Sequence, residues 1–95
     1  VTAIVHHWVL PDKLGDAKDL IKQTGKLMRT FPGFVLRQTL IARADPLQIT
    51  TLTSWETEEA YQGWLKERSK RPAPPGILWT KQPEITVFTS IPELP

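Results

Sequence analysis

The sequence predicts an α+β domain of β-α-β-β-α-β order: a ferredoxin-like, four-stranded antiparallel sheet with two helices on one face. Three observations carry this expectation. Runs rich in β-branched and aromatic residues at 2–10, 34–42, 47–55 and 85–91 read as strands. Two longer stretches between them repeat apolar residues at three- and four-residue steps, as amphipathic helices do. The segment Arg43-Ala44-Asp45-Pro46 has turn chemistry and is short enough to make the middle strands an antiparallel hairpin.

The first strand (TAIVHHWVL) is stopped by Pro11. Its alternate faces are Ala3, Val5, His7, Val9 and Ile4, His6, Trp8, Leu10. Both faces carry apolar groups, so both sides of this strand are expected to be covered. A helix follows over 12–29, with Asp12 as its candidate cap. Leu14, Ala17, Leu20, Ile21, Thr24, Leu27, Met28 and Phe31 form its apolar stripe. Pro32-Gly33 ends it, because proline cannot continue a helix and glycine tolerates the reversal.

The second helix starts at Thr57, whose hydroxyl can cap free N–H groups, with Glu58 and Glu59 where the helix dipole favours negative charge. Ala60, Tyr61, Trp64, Leu65 and Arg68 form its inner stripe. Lys66, Arg68, Lys70 and Arg71 gather at its end, where cations suit the dipole and read as a solvated terminus. Pro72-Ala73-Pro74-Pro75-Gly76 is expected to be a stiff surface connection to the last strand.

Size and composition bound the function. A chain of 95 residues has room for one core, so residues 1–95 are expected to form one domain. A net charge of +2 is too slight to argue for nucleic acid. An RNA-binding sheet would also need a glycine-aromatic motif on its third strand, which reads LQITTLTSW here. The chain has no cysteine, which excludes disulfides, thiolate metal sites and thiol nucleophiles. No apolar stretch approaches the ~20 residues that cross a bilayer. The start at Val1 suggests a trimmed terminus; it shows no basic region followed by an apolar run, so a cytoplasmic location is expected.

If both helices cover one sheet face, the hydrophobic residues of the other face need a partner. The economical partner is a second copy packed sheet to sheet, giving a two-fold homodimer.

Specific residues add to this periodicity. The run Phe31-Pro32-Gly33-Phe34, a strand, then Leu52-Thr53-Ser54-Trp55-Glu56-Thr57-Glu58-Glu59-Ala60-Tyr61 and Trp64-Leu65 resembles the antibiotic biosynthesis monooxygenase-like family. In that family a PGF motif precedes a strand ending in Trp-Glu-Ser/Thr, and a second tryptophan follows nine residues later. Trp55 and Trp64 stand at that spacing. The resemblance implies a dimeric α+β barrel with a pocket inside each subunit, between sheet and helices. It also implies a choice of activities: oxidation of reduced aromatic polyketides or quinols by O2 without metal or flavin, or heme degradation.

The residues expected to line such a pocket are His7 or Trp8, with Met28, Phe34, Trp64 and Trp79. Trp64 falls on the family's pocket tryptophan. Met28 and Phe34 compete with an ordinary core role, and Trp55 reads as a packing residue at the strand-helix junction. His6 and His7 alone titrate near neutral pH. As strand neighbours they point to opposite faces and cannot share one metal ion, so no metal site is expected. His7 is the candidate base, since it shares the register of Ala3, Val5 and Val9.

Heme-degrading relatives use an asparagine on the first strand, a tryptophan on the second helix and a histidine just beyond it. Here the first-strand position is His7 or Trp8, and the segment after the second helix, Arg71-Pro72-Ala73-Pro74-Pro75, has no histidine. That departure weighs against heme; no cofactor is expected, with heme binding or degradation as a further alternative. The leading expectation is a cofactor-independent oxygenase acting on a small reduced aromatic. A non-catalytic dimer that binds a hydrophobic ligand is the alternative from another class.

Overall fold

The computed structural model describes residues 1–71 and 76–94. The predicted proline connection falls on residues 72–75, outside the described residues. Elsewhere the observed order is β1 (Thr2–Trp8), a 3-10 turn (Pro11–Lys13), α1 (Leu14–Met28), β2 (Phe34–Ile41), β3 (Gln48–Trp55), α2 (Glu58–Ser69) and β4 (Glu84–Phe88). The four strands form one sheet in the order β2-β3-β1-β4, and every pairing is antiparallel. This is the ferredoxin-like arrangement read from the sequence.

Element ends follow local chemistry. The hydroxyl of Thr57 accepts the Ala60 N–H at 3.1 Å and caps α2 as expected. Asp12 does not cap α1. It lies inside the 3-10 turn that Pro11 opens, and the side chain at the α1 start makes no capping bond. The β2–β3 turn is held by the Asp45 carboxylate, which accepts the Leu47 N–H at 3.1 Å. At Gly33 the backbone takes φ 84°, and its carbonyl accepts the Glu56 N–H at 2.8 Å, joining the end of β3 to the turn before β2.

β3 supplies the clearest period-two pattern: Ile49, Thr51, Thr53 and Trp55 are buried, and their neighbours are only half-buried. The register puts Ala3 opposite Thr53 and Val5 opposite Thr51, so these side chains share the helix-facing side. In β2 the register shifts between Phe34 and Leu36, a bulge at Val35. Phe34 pairs with Trp55 and Arg37 with Thr53. Both therefore face the helices although they are an odd number of residues apart.

The core divides in two. At one end Ala3, Met28, Trp55, Tyr61 and Trp64 pack together, with Phe31, Phe34 and Leu65 against them. At the other end Val9, Ala17, Ile21 and Ile49 form a second cluster, flanked by Leu14 and Trp79. Between the clusters the sheet offers the small side chains Val5, Thr51 and Thr53, which do not fill the gap under the helices.

The opposite sheet face is open. Leu36, Leu40 and Phe88 are exposed on it, with Ile4 and Leu52 half-buried between them. His6 also faces this side and bonds Thr50 Oγ1 at 2.7 Å. The histidines thus lie on opposite faces, as alternation requires.

Candidate functional site

A cavity of about 620 Å³ occupies the gap between the two core clusters. β1 contributes Ala3, Val5 and His7 to its floor, and β3 contributes Thr51, Thr53 and Trp55. α1 supplies Leu20, Ile21, Thr24, Leu27 and Met28, while α2 supplies Tyr61, Trp64, Leu65 and Arg68. Trp79, Pro83 and Ile85 form the β4 side, and Arg37 enters from β2. Apolar and aromatic walls with a few polar groups suit a flat hydrophobic ligand.

Trp64 is buried and stacks on Trp55, with ring centroids 6.2 Å apart and planes 20° from parallel. Phe31 meets the Trp64 ring edge-on at 5.2 Å. Trp79 reaches the cavity because the chain around it pairs with the end of β1. Thr80 N–H donates to the Trp8 carbonyl at 2.8 Å, Leu10 N–H donates to the Leu78 carbonyl at 2.9 Å, and Val9 bridges Trp79 directly. This places the Trp79 indole 4.7 Å from the His7 ring, centroid to centroid.

His7 is the one histidine in the cavity wall. Its Nδ1 is buried and has no hydrogen-bond partner among the described residues. Burial lowers the imidazole pKa below its ordinary 6.5, and the positive charges of Arg37 and Arg68 push the same way, against an opposing contribution from the Ile49 backbone. At neutral pH the ring is therefore uncharged and has a free lone pair. Tyr61 has its pKa raised, chiefly by burial, so its phenol stays protonated and can donate a hydrogen bond into the cavity.

The expected site residues separate cleanly. His7, Met28, Trp64 and Trp79 meet around the cavity. Trp8 does not: its side chain projects from the other sheet face, where the Lys81 ammonium lies 3.8 Å from its ring centroid. Phe34 is packed edge-on to Trp55 at 5.8 Å, within the core cluster and outside the cavity lining. Trp55 is both a packing residue and part of the wall.

Arg37 was not anticipated. Its Nη1 donates to Met28 Sδ and to Thr53 Oγ1, each at 3.1 Å. Strict alternation from Phe34 would have turned Arg37 away from the helices, and only the bulge at Val35 brings it in. Among the described residues no cluster of three or more His, Asp or Glu side chains could hold a metal ion. Among them, too, no helix is long and apolar enough to cross a membrane.

The sheet, its two helices and the stacked tryptophan pair thus enclose one aromatic-walled cavity in a ferredoxin-like domain. The family model described as antibiotic biosynthesis monooxygenase matches residues 1–71, and the chain belongs to that family. No curated protein matches it in sequence.

Solved structures match it in fold. A protein from Nitrosomonas europaea named for the same family superposes with a TM-score of 0.74 at 13% identity, over 95% of this chain and 97% of its own. A protein from Pseudomonas aeruginosa reaches 0.77 at 14% identity, over 95% and 92%. SnoaB from Streptomyces nogalater, a cofactor-independent oxygenase in mutant form, reaches 0.70 at 16% identity, over 95% and 93%.

Proposed function

We propose that the chain is a cofactor-independent monooxygenase that takes a small reduced aromatic, of quinol or polyketide type, into the cavity and oxidises it with O2. One observation carries this reading: His7, held uncharged by burial, lines a cavity whose wall also holds Trp64, Trp79, Met28 and Tyr61. An uncharged imidazole in that position is a base with nothing to do in the free protein. The SnoaB likeness supports the reaction class through a shared fold.

In this reading the aromatic lies against Trp64 and Trp79, and His7 takes an acidic proton from a phenol or a ring methylene. The anion left behind is electron-rich enough to reduce O2 directly. For a ring methylene, one oxygen atom becomes a carbonyl on the carbon and the other leaves with the two methylene hydrogens as water. The substrate supplies all the electrons, so the balance closes with no external reductant.

The functional unit in this reading is a homodimer. Leu36, Leu40 and Phe88 are 43%, 45% and 51% exposed on the sheet face away from the helices, a patch of the kind that soluble proteins cover. A second copy packed against this face leaves the cavity on the helix side of each subunit.

The test is oxygen uptake by purified protein, stripped of metals and flavin, with a panel of quinols and anthrones. Wild type is compared with His7→Ala and Trp64→Ala. Cofactor-free turnover that falls in both variants is the expected result. Uptake no faster than the autoxidation blank for every substrate would sink the oxygenase reading for that panel and leave a ligand-binding dimer in its place.

A further inference from the structure

The cavity holds positive charge that the proposed chemistry does not use. Arg37 is half-buried in its wall and the exposed Arg68 and Arg71 stand on its lining, yet no aspartate or glutamate lines it among the described residues. The described ion pairs join Glu67 to Lys70 and to Arg71, and none involves Arg37.

The donors of Arg37 are only partly spent. Nη1 bonds Thr53 Oγ1 at 3.1 Å, but it also faces a thioether sulfur, a weak acceptor, and Nη2 reaches the Ile21 carbonyl only at 3.5 Å. Burial acts against the charged form, and the neighbouring charges of Arg29 and Arg68 add to that effect. A partly desolvated cation without a counter-ion is destabilising. The β2 bulge at Val35 turns this side chain inward, where an apolar residue would pack at lower cost. Such an arrangement marks a place where a ligand completes the charge balance.

We propose that the cavity recognises an aromatic carboxylate, whose ring lies against Trp64 and Trp79 and whose carboxylate pairs with the Arg37 guanidinium. The planar fork of arginine matches the two oxygens of a carboxylate. A single half-buried guanidinium, with Arg68 adding positive potential, suits one negative charge. This rests on the cavity being the ligand site, as the proposed function requires.

Binding of 2-naphthoate and of its uncharged methyl ester, measured calorimetrically, tests it. Wild type should hold the acid at least about ten-fold more tightly than the ester, as expected for a charge-assisted hydrogen bond. Arg37→Met should bind the ester and lose the preference for the acid, while Arg37→Lys keeps part of it. A thermal melt checks the fold of each variant, and Arg37→Gln replaces Arg37→Met if that variant is unfolded. Equal wild-type affinity for acid and ester overturns the proposal but leaves the cavity as a ligand site. An acid preference unchanged in the Arg37 variants also overturns it, because the anion then binds elsewhere. Failure of both probes to bind removes the ligand site and the proposal together.

Discussion

The indoles of Trp55 and Trp64 lie 20° from parallel with their centroids 6.2 Å apart, one at the end of β3 and the other on α2. The pair ties the sheet to the helix and forms one wall of the cavity. Replacing Trp64 with alanine removes both roles. Loss of a large buried aromatic should cost about 3–5 kcal/mol, measured by urea denaturation. Trp64→Phe should recover most of that stability.

Trp55 behaves differently. Its Nε1 is buried with no partner among the described residues, so the indole carries an unsatisfied donor. Trp55→Phe gives up packing area but also removes that donor, and the two effects oppose each other. The expected loss is below about 1.5 kcal/mol. A loss as large as that of Trp64→Ala would show that the indole makes a bond the static structure lacks.

The pH dependence follows from His7. Its folded pKa lies below the ordinary 6.5, so the unfolded chain binds a proton more readily. Stability from this group is present above about pH 6.5 and is lost as pH falls from there through the folded pKa. If His7 is the base, turnover rises with pH along a limb centred below 6.5, set by the same burial and by Arg37 and Arg68. In His7→Gln that limb should vanish from the kcat/KM profile, and the acid-side loss of stability should shrink.

Gly33 tests the junction between α1 and β2. Its φ of 84° is unfavourable for any residue with a side chain, and a Cβ there would collide with the Cβ of Ala60. Gly33→Ala should therefore cost about 2 kcal/mol or more. Gly63→Ala, where nothing lies within 4 Å of the new methyl, should be neutral or slightly stabilising. Paired melting curves of the two variants decide the matter.

The open sheet face predicts association. Wild type should sediment at twice the chain mass, and Leu36→Asp with Leu52→Glu should shift it to the monomer. A wild-type protein that stays monomeric at high micromolar concentration would remove the dimer from the reading.

The element order and the tryptophan spacing were legible in the sequence because local periodicity encodes them. His7 falls on the helix-facing side for the same reason, since β1 keeps strict alternation. Trp8 sits next to it and follows the same rule to the opposite face, which removes it from the cavity. Arg37 was not legible, because its direction depends on a bulge that alternation cannot announce. Trp79 was placed in the pocket by resemblance alone; its position depends on backbone pairing with residues about 70 positions earlier, at Trp8 and Leu10. The cap assigned to Asp12 failed because Pro11 opens a 3-10 turn before the α-helix begins.

The bulge at Val35 also sets the tolerance of this strand to changes in length. Val35 is 51% exposed on an edge strand, a position where a deletion would ordinarily be harmless. Removing one residue there puts Phe34 and Arg37 two positions apart, so simple alternation still turns both toward the helices. The aromatic stays in the core and the cation stays in the cavity. A shortened β2 would thus keep both the melting point and the acidity of what the protein binds, and the extra residue is dispensable to either.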